Sequence, residues 1–264
     1  MKIFKPLLLA FVCVSFSVSS FAWWGQTGHR VVGEIANSYL SKKVRNTVRE
    51  ILGTESIAMS SNWADFIKSD STYNYLSPWH YINFKQGLSQ SEFNNILQND
   101  TATDAYTKLN FLIAELKNKQ LTTDKKQMYL RLLIHIAGDI HQPLHVGQFE
   151  DLGGNRVRVQ WFGESTNLHS VWDEKLIESQ RLSYTEYAEA INHSTKEQVK
   201  HWQQQSINEW FFESYQLAGK IYSGITQPDQ KLSFRYGFDN IEMLNAQLLK
   251  GGIRLAGLLN SIFG

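Results

Sequence analysis

His135 and Asp139 stand four residues apart within the stretch LIHIAGDIHQPLHVGQFEDLGGN, residues 133–155. Leu130, Leu133, Ile134, Ala137 and Ile140 recur around them at helical spacing, so imidazole and carboxylate leave one helix face a turn apart. Pro143 stops that helix, because it has no N–H and its ring clashes with the preceding turn. His145 follows just past the break. A second pair, His169 and Asp173, repeats the spacing in STNLHSVWDEKLI, where Asn167 is placed to cap a helix. Nitrogen and oxygen donors without sulfur suit zinc or an ion of similar hardness. Each pair by itself equally fits a hydrogen-bonded core histidine beside an exposed aspartate. The same pair on two separate helices is harder to dismiss.

Three further residues are candidates for the same chemistry. His29 opens a helical segment close to a new amino terminus if a leader is removed, and a free α-amino group with its own carbonyl can chelate a metal. Taken alone, His29 reads as a polar residue of a first helical turn. Asp65 lies among Trp63, Phe66 and Ile67, either half-buried with a partner or at the edge of a short helix over 61–68. His80 sits between Trp79 and Tyr81 after Pro78, a setting that suits a core histidine as well as a ligand. His141 is off the face of His135 and Asp139 and can at most support a ligand. His193 and His201 lie on polar surfaces.

The elements that must position these groups are helical. Val31, Val32, Ile35, Ala36, Tyr39, Leu40, Val44, Val48, Ile51 and Leu52 form one helical stripe closed by Gly53. Ser89–Glu92, Ser183–Glu186 and Ser194–Glu197 read as capping boxes, 103–119 as an amphipathic helix, and 239–262 as a last helix. Only GGNRVRVQWFG, residues 153–163, alternates with period two, predicting a strand or hairpin. With no repeat and no composition break, a mainly α, single-domain fold follows.

The first residues, MKIFKPLLLAFVCVSFSVSSFA, combine a basic start, a short apolar run and small residues at Ser20 and Ala22. This predicts an export signal over 1–22 and an exported domain over 23–264, without a membrane anchor. Cys13 is the only cysteine and falls in the signal, so the exported domain has no disulfide and relies on packing and bound metal. Loss of Lys2 and Lys5 takes 26 basic residues to 24 against 25 acidic ones. That balance excludes the basic footprint of a duplex-DNA binder and leaves metal ions and aromatic stacking as the means of holding nucleic acid.

His29, Asp65, His80, His135, Asp139, His145, His169 and Asp173 are more donors than one tetrahedral zinc uses. Several metals a few ångströms apart suit displacement at phosphorus, which leads to a multinuclear phosphoesterase. The order WGxxGH, WAD, WHxIN, LxHxxGDxxQPLH, GGN and NLHSxWD resembles the zinc-dependent single-strand-specific nucleases of the S1/P1 type, from Trp24 to the C-terminal residues. The resemblance implies a helical fold with three zinc ions. Asp65, His80, His135 and Asp139 would hold the first, and His145, His169 and Asp173 the second. The third would take His29, a bridging Asp139 and the amine and carbonyl of an N-terminal tryptophan. It further implies metal-activated hydroxide attack on single-stranded DNA and RNA, 5′-phosphorylated products, Asp65 orienting the water, and a monomer. Tyr81 would stack a base, and Asn83 and Asn155 of GGN would contact substrate.

Three departures from that pattern stand out. The family's terminal tryptophan corresponds to Trp24, whereas a cut after Ala22 leaves Trp23 first. An arginine three residues past the WAD aspartate is here Lys68, which neutralises phosphate but lacks the planar fork. An aspartate that reads a base edge is here Asn83, with both donor and acceptor groups. Two rivals remain: a zinc-dependent phospholipase C, which shares LxHxxGDxxQPxH, and a non-catalytic exported metal-binding protein.

Overall fold

The computed structural model describes residues 25–264. The predicted signal 1–22, Trp23 and Trp24 lie outside them. The fold is mainly α, as its patterning predicts. The N-terminal stripe forms two helices rather than one, α1 (Gln26–Ser38) and α2 (Lys42–Leu52). The break is made by Ser41, whose hydroxyl accepts the Val44 N–H at 3.2 Å and so starts a new helix. Gly53, at φ +73°, ends α2 in a conformation that favours glycine. Two short helices follow, α3 (Ile57–Ser60) and α4 (Trp63–Phe66), and then tight 3-10 turns over Ile67–Ser69 and Ser71–His80. Helix α5 (Gln90–Gln98) starts on the expected Ser89–Glu92 capping box, and α6 (Ala105–Leu116) on a box made by Asp104 and Thr107.

Helix α7 (Thr123–Asp139) is the central member, with every residue from Leu132 to Asp139 buried. Pro143 opens a 3-10 turn, Pro143–Val146. The hairpin of β1 (Arg158–Trp161) and β2 (Glu164–Asn167) pairs Val159 with Thr166. From Asn167, whose side chain accepts the Ser170 N–H at 2.7 Å, the chain winds continuously through α8 (Leu168–Ser170), a π-helical turn (Val171–Lys175) and α9 (Leu176–Glu178). Helix α10 (Tyr184–Ile191) starts on Ser183–Glu186. The next box lies one residue later than predicted: Thr195 and Gln198, not Ser194 and Glu197, cap α11 (Lys196–Gln204).

Helix α12 (Ile207–Ser223) adds to the helices that the patterning predicts, and Ser206 and Glu209 form a capping box at its start. The third strand β3 (Gln230–Leu232) was also unexpected; it runs parallel to β1 with Val159 opposite Gln230. Helix α13 (Phe234–Phe263) begins five residues earlier than its apolar pattern predicts. Helices α1 and α13 cross closely because Gly252 presents no side chain to Ile35. On another side of α1, Gly33 lies against the Ala58 backbone, where a Cβ would come within 2.7 Å of its Cα.

Candidate metal centre

Helix α7 carries His135 and Asp139 fully buried on one face. Its 3-10 continuation delivers His145, and the segment after β2 delivers His169 and Asp173. His29 on α1 stacks on His135 with ring centres 3.9 Å apart, and His80 meets His135 edge-on at 4.7 Å. Asp139 is the hub. Its Oδ2 lies 2.9 Å from His80 Nδ1 and 3.1 Å from His135 Nε2, and its Oδ1 lies 3.3 Å from His29 Nε2 and 3.4 Å from His145 Nδ1. Asp65 Oδ1 comes 3.6 Å from His135 Nε2 while accepting from Lys68 Nζ at 2.8 Å. Asp173 reaches His169 Nε2 at 2.9 Å and His145 Nε2 at 3.4 Å.

Backbone carbonyls set the direction of three rings. Nδ1 of His135 donates to Ser61 O at 2.6 Å, Nδ1 of His145 to His80 O at 2.7 Å and Nδ1 of His169 to Gly153 O at 2.6 Å. Each such bond keeps the Nδ1 proton in place, so that the neutral ring offers its Nε2 lone pair to a metal. The residues therefore gather as His29–Asp65–His135, His80–His135–Asp139 and His145–His169–Asp173. Donor separations from 2.9 to 3.6 Å within these groups straddle the roughly 3.4 Å between two ligands of one tetrahedral zinc with bonds near 2.1 Å. All the donors are nitrogen or carboxylate oxygen, which fits zinc.

The electrostatics agree with that fit. Burial opposes charge on Asp139, but the imidazoles of His135 and His145 outweigh it and hold its carboxyl well below the usual range. Asp173 is lowered against its burial by His169 and His145. Burial pushes His80 down to about 4 and lowers His29. For His145 burial also opposes the charge, yet Asp139 and Asp173 raise it to about 9. Burial takes Lys68 down to about 8 despite the adjoining Asp65.

Three further contributors carry no metal-ligand signature in the sequence. Gln142 is fully buried; its amide donates to Asp173 Oδ1 while its Oε1 accepts the Leu144 N–H at 2.6 Å. Ser61 and Gly153 act through their carbonyls, which no side-chain pattern discloses. Gly153 has φ +64°, and a Cβ there would lie 2.4 Å from Leu144 O, so the His169 support requires glycine. The Gln142 signal was available: a polar residue between buried positions just ahead of the Pro143 break. His141 faces away from the cluster, donating Nδ1–H to Ala137 O at 2.7 Å and accepting from Arg254 Nη1 at 3.0 Å. Burial and that guanidinium push it down to about 3. His193 and His201 are exposed. Tyr81 is 42 % exposed, Asn83 is half-buried, and Asn155 is exposed with its amide donating to Leu152 O at 2.9 Å.

A helical fold whose imidazoles and carboxylates converge on one buried aspartate defines a candidate metal-dependent hydrolase. The family model described as S1/P1 Nuclease matches residues 24–264, and the chain belongs to that zinc-dependent family. It is similar to Endonuclease 2 of Arabidopsis thaliana, at 28 % identity over 98 % of this chain and 97 % of the relative. It is also similar to Endonuclease 3 of the same plant, at 30 % identity over 91 % and 89 %. Nuclease P1 of Penicillium citrinum is 26 % identical over 91 % and 98 %. The protein is thus a nuclease, a hydrolase of phosphodiester bonds, rather than a phospholipase or a non-catalytic metal-binding module. No described helix is long and apolar enough to cross a membrane.

Proposed function

We propose that this chain is exported and hydrolyses single-stranded DNA and RNA to 5′-phosphorylated products at a centre of three zinc ions. The observation that carries the reading is the convergence of three His/Asp groups around Asp139, all buried except the half-buried Asp65. His80, His135, Asp65 and Asp139 would hold one ion, and His145, His169 and Asp173 another. His29 and Asp139 would hold the third together with the amine and carbonyl of a terminal Trp24. Support for that last ligand comes from Gly25, whose N–H donates to Asp173 O at 2.6 Å and so ties the incoming chain to the cluster. Removal of residues 1–22 would expose Trp23, and one further trimming step Trp24.

Zinc bound in such a site supplies Lewis acidity toward phosphate and lowers the pKa of water to about 7. The protein's own groups do the rest. Asp65 accepts from the attacking water and orients it, and Lys68, held 2.8 Å from Asp65, adds positive charge toward a phosphate oxygen. Tyr81 offers a ring to an unstacked base, and the polar side chains of Asn83 and Asn155 contact the strand. A paired base cannot leave its stack to use such a ring without cost, which favours single strands. The chain acts as a monomer.

Protein purified without chelator is assayed for metal content and for release of acid-soluble nucleotides from denatured DNA and from RNA. About three zinc per chain, with activity lost to chelator and restored by zinc, is expected. Asp139→Asn is expected to abolish activity and to lower zinc content, because Asp139 touches donors of more than one group. An active variant with full zinc content, or hydrolysis of phosphatidylcholine without nucleotide release, would overturn the reading.

A further inference from the structure

Helix α7 ends at Asp139 and Pro143 bars its continuation, so the carbonyls around its end cannot all find helical partners. In a buried interior each of them must still be satisfied. Three are closed locally: Ile136 O accepts the Ile140 N–H at 3.0 Å, and Gly138 O and Asp139 O accept the N–H groups of His141 and Gln142, both at 2.9 Å. Those of Ile140 and His141 are closed from outside. Ser214 of α12 donates its hydroxyl to Ile140 O at 2.5 Å. Gln247 of α13 donates its amide to His141 O at 3.2 Å and to Ser214 Oγ at 3.3 Å.

The His141 ring is a third grip on the same turn. Its Nδ1–H donates to Ala137 O, which leaves Nε2 to accept from Arg254 Nη1 at 3.0 Å. The guanidinium is fixed in turn. Its Nη2 donates to Gln205 Oε1 at 2.6 Å and to the Glu213 carboxylate, which also takes Lys250 Nζ, and its central carbon lies 5.8 Å from the Trp210 ring centre. His141, Ser214, Gln247 and Arg254 are all buried, and none belongs to a donor group. A buried guanidinium–carboxylate pair is a poor device for stability, because desolvation offsets much of its attraction. It does supply fixed direction. The turn it grips separates Asp139 from His145, whose Oδ1 and Nδ1 stand 3.4 Å apart.

We propose that Ser214, Gln247 and Arg254 are positioning residues of the metal centre: they hold the Ile140–Gln142 turn and so set the spacing between Asp139, the hub, and His145, a donor of the neighbouring group. The inference rests on the metal-centre reading above and extends the supports of that centre to α12 and α13. Asp139 faces His29, His80 and His135 as well as His145, so a shift of the turn parts donors of more than one group at once. None of these hydrogen bonds reaches Tyr81, Asn83 or Asn155, which keeps strand binding apart from the effect. A lysine at position 254 would keep the charge but not the planar fork that meets His141, Gln205 and Glu213 together.

Metal-free protein is titrated with cobalt(II), whose visible absorption reports coordination geometry, and kcat and KM are measured on denatured DNA at saturating zinc. Arg254→Lys and Gln247→Leu are each expected to weaken two or more equivalents by roughly 10–100-fold and to alter the cobalt spectrum. They are expected to lower kcat about tenfold or more and to leave KM within about twofold of wild type. Tyr187→Phe is the comparator, because it breaks the bond from Tyr187 Oη to Asn245 Oδ1 of the same helix α13. It is expected to lower the melting temperature with cobalt spectrum, affinities and kcat as in wild type. Ser214→Ala, a smaller change in the same network, carries the test if either variant fails to fold. A folded variant of the network with wild-type affinities and kcat would overturn the inference. So would a Tyr187→Phe protein that loses both to the same degree, since stability alone would then account for the losses. Wild-type protein that takes up neither cobalt nor zinc would instead overturn the metal-centre reading beneath it.

Discussion

Replacing Gln142 by leucine removes a side chain outside the candidate donor groups and should nonetheless weaken metal binding at one of them. The Gln142 amide donates to Asp173 Oδ1, and its Oε1 takes the Leu144 N–H at the start of the turn that presents His145. Both contacts are fully buried, so water does not replace them. A hydrogen bond to a charged group contributes about 1.5–3 kcal/mol, and loss of such an outer support lowers metal affinity by roughly 10–100-fold. The affected donors are those of the His145–His169–Asp173 group, while His29, His80, His135 and Asp65 keep their contacts. Zinc titration against a chromophoric competitor should therefore show one equivalent weakened and the others unchanged, with melting measured in parallel at saturating zinc. A folded Gln142→Leu protein that binds every equivalent with wild-type affinity would refute the argument. So would uniform weakening of all of them.

Metal binding to the His145 group should release a proton at neutral pH. The imidazole, raised to about 9, is protonated at pH 7 in the metal-free protein, whereas the lowered Asp173 has no proton to give. Affinity there should rise about tenfold per pH unit from 7 toward 9; calorimetry in two buffers of different ionisation enthalpy counts the protons, and none released at pH 7 would contradict the electrostatics. Gly33→Ala should destabilise the fold by about 1–3 kcal/mol, because the new methyl meets the Ala58 backbone rather than a movable side chain. At about 2–4 °C of Tm per kcal/mol for a domain of this size, a melting curve resolves it.

The helices that bear donors were legible because their signals are local. Helical spacing on α7, the Pro143 break and the Asn167 cap all lie within a few residues of the groups they place. The signal that failed at Tyr39–Ser41 was also local but ambiguous: one continuous apolar stripe spans α1 and α2, and only the Ser41 cap separates them. Strand β3 is three residues long and gains its pairing from β1, about seventy positions earlier, so no short-range pattern could disclose it. The candidate site divides the same way. Imidazoles and carboxylates announce themselves, whereas the Ser61 and Gly153 carbonyls that aim the rings have no residue signature at all. Gln142 lies between, a visible residue whose task appears only when Asp173 comes to meet it.

The crossing of α1 with α13 has a consequence for the order in which the molecule matures. His29 rides on the first described helix, and the groove that seats this helix is closed by the last described one, through Gly252 and Ile35. Donors from residue 29 to residue 173 meet only when contacts this distant in sequence have formed, a topology that folds late and cooperatively. A chain still emerging presents separate histidines but no complete set of donors. Tight metal retention would therefore mark a chain folded through α13, and free metal at concentrations well above Kd makes that state progressively harder to leave.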